Sequence, residues 1–264
     1  MSDHLRSLLV TSGLFPWAMA GLMILILLWG QKIGTVAREK HGAREDKADE
    51  TMVSAIFGLL ALIVAFTFSG ASDRYDHRRD LIAKEASTIG TAYASVDLLA
   101  EKDQSQLRAH FKKLVDERMA LYKNVTESDA YEARHDEFDR TRNRLWSDAV
   151  KSVKDTPFPE KLVASQILPE ISDMNDALDN QRLAMKMHPP RVLSISLFVL
   201  ILIGAFVTGY NLGLTNKRDW LLISMFVTLM AGTFYITLNL EYPLIGFIGL
   251  EDFEMELLRL RRSM

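Results

Sequence analysis

The 264-residue chain balances 31 Lys and Arg against 34 Asp and Glu for a formal charge of −3, and it contains no cysteine. Disulfides, thiolate metal sites and thiol catalysis are therefore excluded, and the weakly acidic balance, with a pI near 6.1, leaves no nucleic-acid footprint. The mean hydropathy of +0.05 conceals a segregation of apolar and charged residues into separate blocks.

Four blocks hold no charged residue between their ends: Leu14–Gly30, Met52–Ala71, Val192–Leu214 and Trp220–Leu240. At about 1.5 Å of rise per residue, even the shortest nearly covers a hydrocarbon core of ~30 Å. Backbone groups find no water in lipid, so such segments must be helical. The first block is read as a retained helix and not a signal peptide. Its n-region has only His4 and Arg6 beside Asp3, Trp17 and Trp29 stand near its two ends, and no A-x-A site follows.

Residues 1–13 are short and polar, and Gly13 and Pro16 mark the entry to the first span. The connection Gln31–Thr51 holds five basic and five acidic residues, with Gly34 and Gly42 as expected breaks and REDKADE as a solvated helix leading into the second span. From Ala71 to Thr156 the sequence has no proline and only Gly90 among glycines, which predicts long helices and no sheet. The second span thus continues without a breaker into a charged amphipathic helix, one rod through two solvents. Apolar stripes follow over Leu81–Leu99, Leu107–Tyr122 and, more weakly, Tyr131–Val150.

The prolines of VKDTPFP break the pattern, and a fourth helical stretch runs from Leu162 to Leu183, with Pro169 as a candidate kink. His188-Pro189-Pro190 ends it and turns the chain into the third span. The third and fourth spans form a hairpin across Asn211–Asp219, and Glu241-Tyr242-Pro243 stands at the membrane edge before a short charged C-terminal helix. The expected fold is all-α, with four transmembrane helices and a soluble helical bundle inserted between the second and third. Its parts are an N-terminal membrane hairpin (1–71), a soluble domain (72–191), a C-terminal membrane hairpin (192–240) and a membrane-edge segment with a terminal helix (241–264). The middle segment carries 20 Lys and Arg against 22 Asp and Glu, as a soluble domain does. Near the membrane, the side bearing both termini and the middle domain has eight Lys and Arg against seven on the other. With the cluster Arg74, Arg78 and Arg79, this count assigns that side to the cytoplasm.

No catalytic constellation stands out. The six histidines are scattered, His135-Asp136-Glu137 reads as surface charge, and no P-loop, G-x-S-x-G or dinucleotide fingerprint occurs. No enzyme activity, metal or cofactor is expected. Asn124-Val125-Thr126 matches a glycosylation sequon and reads as chance in a cytoplasmic domain. Met185 and Met187 read as core filler.

The second span is the informative stretch. Ala55, Gly58, Ala61, Ala65, Ser69 and Gly70 are small, with Phe57, Phe66 and Phe68 between them and Thr67 near the exit. Two readings stand open: the small residues pack this helix inside its own four-helix bundle, or Phe57, Phe66, Thr67 and Ser69 line a hydrophobic constriction in an oligomeric pore. The exit bears Arg74, Arg78, Arg79 and Glu85. These residues either pair along the helix, with Asp76 and Asp80 as partners for Arg74 and Arg78, or contact anions and lipid headgroups.

The run GLLALIVAFTFSGASDRYDHRRDLIAKEASTIGTAY resembles the hallmark of bacterial bestrophin-like membrane proteins: an apolar helix with a phenylalanine-bearing end, a basic stretch, then Glu85-Ala86. Leu107–Asn124 is similar to the next family segment, and Leu238–Glu251 resembles a closing element matched by Glu241, Pro243 and Gly246. The resemblance covers most of the chain. It implies a multi-pass inner-membrane protein related to bestrophins, pentameric anion channels whose second membrane helix lines a hydrophobic neck. Membrane lipids, small anions and further copies of the chain are the partners it implies. The sequence departs from bestrophins in carrying Arg74-Tyr75 where they have a tryptophan pair, and no acidic calcium clasp can be matched. The expected function is an oligomeric ion channel, anion-conducting, with a non-conducting membrane sensor or scaffold as the alternative.

Overall fold

The computed structural model describes residues 14–41, 47–123, 128–187, 189–215, 219–242 and 251–264. Among them the regular elements are all helical. They are α1 (Phe15–His41), α2 (Lys47–Ala94), a 3-10 turn (Ser95–Leu98), α3 (Glu101–Lys123), α4 (Ser128–Asp155), the short α5 (Glu160–Ala164), α6 (Ile167–Lys186), α7 (Arg191–Thr215), α8 (Trp220–Glu241) and α9 (Glu251–Ser263). Helices α1, α2, α7 and α8 are each long and apolar enough to cross a membrane. The chain divides into two compact units, one of Met1–Tyr75 with His188–Ile248 and one of Asp76–Met187 with Gly249–Met264. Gly42, Pro243, Gly246 and the Asn124-Val125-Thr126 sequon lie outside the described residues.

In the first unit α1 packs against α7, and glycines set how closely. A Cβ on Gly30 or Gly34 would run into the backbone carbonyl oxygens of Phe206 or Tyr210, and one on Gly209 or Gly213 into those of Leu27 or Gln31. Lipid tails are as apolar as leucine, so the attraction between these helices comes from close backbone packing and not from expelled water. Trp29 adds a ring contact with Phe206 at 5.3 Å. Gly34, expected as a break, lies inside an unbroken helix, because its missing side chain serves the partner helix. Helix α8 joins through Phe234, whose ring lies 6.0 Å from those of Phe15 and Phe198. It starts at Asp219, whose carboxylate caps the helix by accepting from the amides of Leu221 and Leu222 at 3.1 and 3.2 Å.

The second unit is built as the breaker-free sequence predicts. Ile89 on α2, Phe111 and Leu114 on α3, Leu145 on α4, and Ile167, Ile171 and Met174 on α6 form a core with no significant exposure. Each such side chain contributes about 1.5–3 kcal/mol by leaving water. Pro169 sits in the first turn of α6, where its missing amide breaks no helical hydrogen bond, and α6 runs on to Lys186. Helix α9 docks through Leu257, and Arg261 donates to both carboxylate oxygens of Asp116 at 2.7 and 3.0 Å. Two sequence readings are overturned here. His135 is buried, on the inward face of α4 and not on the surface, and Met187 is largely exposed where core filler was expected.

The glycine contacts set a clear expectation. Gly209→Val should cost at least about 2 kcal/mol through overpacking, seen as a lower Tm of the detergent-solubilised protein. Gly21→Ala, at a position with open space around it, should change Tm little.

Candidate functional site

Helix α2 distributes its candidate residues around a circle, and the structure separates them. Phe57 and Phe66 are nine positions apart, half a turn around the helix at ~100° per residue. Phe57 turns inward, its ring edge-on to Phe226 at 6.0 Å, beside Leu60, which is buried against Gly204. The Thr67 hydroxyl donates to the carbonyls of Ile63 and Val64 on its own helix, so its polarity is spent internally. Phe66 is 69 % exposed, and Ser69 lies open with Gly58 and Leu62 on the outer side. A Cβ on Gly58 would meet nothing within 4 Å. In its most apolar stretch only 6 % of α2 is buried, against 33 % for α1 and 28 % for each of α7 and α8. The small residues of α2 therefore do not serve to pack it inside its own bundle.

At the exit each arginine has its own role, and Arg74 and Arg78 both reach partners beyond their own helix. Within the first unit, Arg74 reaches the end of α8 and donates from Nε to Oε1 of Glu241 at 2.9 Å, with Nη2 on the same oxygen. Glu241 is almost fully buried at the carbonyl end of a helix, where a carboxylate is disfavoured, and the guanidinium offsets that. The two residues came from separate sequence motifs and meet as one ion pair. Within the second unit, Arg78 is buried and donates to the carbonyls of Ala184 and Met187, at 3.3 and 3.0 Å. It caps the C-terminus of α6, whose last carbonyls lack helical partners. Arg79 stays exposed, 4.0 Å from Asp76.

Glu85 is fully buried and gripped by Arg118 of α3, Nε to Oε1 at 2.7 Å and Nη2 to Oε2 at 2.8 Å. Arg118 also donates to Gln181 of α6 and lies over the Phe138 ring of α4, 5.5 Å from its centroid. One pair thus ties four helices together. The sequence reading missed Arg118, although a signal was present: 107, 111, 114 and 118 continue one helical stripe, and so do 78, 82, 85 and 89. Charged residues at stripe positions are candidates for buried pairs. Among the described residues no group of three or more His, Asp and Glu is placed to hold a metal.

The family model for the bestrophin-like domain matches residues 22–253. The chain belongs to the bestrophin-like family. The solved structures it resembles include crystal structures of a bacterial bestrophin homologue from Klebsiella pneumoniae. One, carrying a point mutation, has a TM-score of 0.64 at 14 % identity over 93 % of this chain and 97 % of that one. Another, phased with zinc, has a TM-score of 0.64 at 14 % identity over 91 % and 97 %. A third match, described as a membrane protein, gives 0.63 at 13 % identity over 91 % and 98 %. No curated protein matches the chain in sequence.

Breaking the Glu85–Arg118 pair should be costly, because it strands a buried charge. Arg118→Met is expected to lose about 3–5 kcal/mol, whereas the double change Arg118→Met with Glu85→Leu should recover most of that loss. A denaturation series of the four proteins in detergent measures the coupling directly.

Proposed function

We propose that this bestrophin-like chain is a multi-pass membrane protein that assembles as a homo-oligomer and conducts small ions along an axis lined by α2. The observation that carries the reading is the bare flank of that helix. Three membrane-type helices pack on one another, while the fourth keeps Gly58, Leu62, Phe66 and Ser69 uncovered. A helix with small residues at one level and a bulky apolar ring at another suits a pore with a hydrophobic constriction, which gates by dewetting. On this reading Phe66 and Ser69 line the path, and Phe57 and Thr67 seat the helix on its own subunit. The four spans, the helical domain of residues 72–191 between the second and third, and a cytoplasmic side for that domain and both termini complete the proposed topology. Pro243 and Gly246 belong with Glu241 to the membrane-edge element.

Five subunits and anions as the conducted species come from the family resemblance. The arginines add little to an anion preference: Arg74 is neutralised by Glu241 and Arg78 is spent on α6. Arg79 is the exposed basic group of the three.

Native mass spectrometry and liposome flux with anions and cations test the reading. An oligomer is expected, with Phe66→Ala raising flux about tenfold or more by removing an apolar barrier of ~1.4 kcal/mol. Phe57→Ala should lower Tm and leave flux per folded channel unchanged. A monomer without flux would sink the channel reading. An oligomer without flux for any ion points to a non-conducting sensor or scaffold.

A further inference from the structure

Charge is sorted between two neighbouring helices of the second unit. From residue 140 to 154, α4 has five Lys and Arg against one acid, Asp148, and from 167 to 181, α6 has four acids and no Lys or Arg. Where these helices face their neighbours, the charges are paired off. Arg142 donates to Asp179 at 2.6 Å, Arg182 to Asp139 at 3.4 Å, and Asp148 accepts from Gln106 of α3 at 2.9 Å. The other charges lie on the far sides. At ~100° per residue, Arg140, Arg144 and Lys151 form one stripe about half a turn round α4 from Arg142. On α6, Glu170 stands half a turn from Asp179, and Asp173 half a turn from Arg182, with Asp176 about one turn further along. The basic stripe therefore occupies the flank of α4 turned away from α6, and the acidic stripe the flank of α6 turned away from α4. Five of these six residues are exposed and Glu170 is half-buried. None of the six makes an ion pair among the described residues. Like charges three or four residues apart destabilise a helix, and no described partner offsets that.

We propose that the two stripes are the two halves of one contact between copies of this chain, with α4 of one copy lying against α6 of the next. Charge complementarity names the occupant. An anionic lipid surface or an acidic partner would account for the α4 stripe and leave the α6 stripe without a counterpart, whereas a second copy uses both. Because the stripes lie on opposite flanks, the contact is heterologous: each copy offers one flank and receives the other, and repetition about an axis builds a ring. The contact rests on the homo-oligomer proposed above and not on conduction. It gives the second unit an assembly surface of its own, separate from the bare flank of α2. Exposed ion pairs are individually weak and screened by salt, so this surface sets orientation and choice of partner more than affinity.

Carbodiimide cross-linking of the full-length protein in detergent at low salt, with the peptides of the covalent dimer band identified by mass spectrometry, tests the contact. Within one copy the stripes face apart, so a zero-length bond from Lys151 to Glu170, Asp173 or Asp176 joins two copies. That link is expected in the wild type. Arg140→Glu with Arg144→Glu should cut it about tenfold or more, because like charges then meet. Adding Glu170→Lys with Asp173→Lys should restore the link between Lys151 and Asp176. A covalent dimer without any link from Lys151 to α6 overturns the contact and leaves the oligomer standing. So does a link that ignores the α4 reversal, or one that the α6 reversal fails to restore. Links from Lys151 to a co-purified protein would give the stripe to another partner and overturn it too. A wild type that stays monomeric by native mass overturns the contact and the oligomer together. Should the combined variant fail to fold, the wild-type link and its loss in the α4 reversal decide.

Discussion

Helix α2 joins an apolar half and a charged half in one backbone, and the two halves are packed in opposite ways. Its charged half is engaged along one face. Arg78 caps α6, Glu85 is locked to Arg118, and Ile82 and Ile89 enter the core beside them. Its apolar half is left mostly bare, although small residues there would let a partner approach closely. A segment of this kind is at ease in lipid, but lipid does not require small residues. That mismatch is what turns attention to further copies of the chain.

The charged residues of α2 illustrate why chemistry read from residue type alone misleads. A run with three arginines in six positions looks like an anion attractor. In the fold two of those cations are consumed by a buried carboxylate and by helix-end carbonyls. Buried ionic groups are weak evidence for stability, since desolvation offsets much of the attraction. What they supply here is register: Arg118 reaches Glu85 and Gln181 together in a single arrangement of α2, α3 and α6.

Much of the architecture was legible in the sequence, because its signals are local. Charge-free runs marked the four membrane-type helices, and the absence of proline and glycine marked the long helices of the second unit. The partners were not legible, because they are remote. Arg74 and Glu241 are 167 residues apart, and Glu85 and Arg118 are 33 apart. Gly34 was misread as a break because a glycine used for close approach looks the same in sequence as one used for a turn. His135 was misread because Asp136 and Glu137 suggested a wet surface. Yet 135, 138, 142, 145 and 149 alternate by three and four, which places the histidine on the buried stripe of Phe138 and Leu145. The candidate pore residues were named by type, and the helical turn then divided them between two faces.

The backbone contact between α1 and α7 also bears on how the protein is made. Gly30 and Gly209 are 179 positions apart, so at ~5–20 residues per second of synthesis the first helix waits roughly 10–40 s for its partner. Through that interval α1 must be stable in the bilayer alone, and it is equipped for that: its apolar core carries no charge, and exposed Trp17 and Trp29 sit near its ends as interfacial anchors. Its glycine face meanwhile lies open in the lipid, available to any small-residue helix that passes. Order of assembly, as much as final packing, therefore constrains which residues that face can carry.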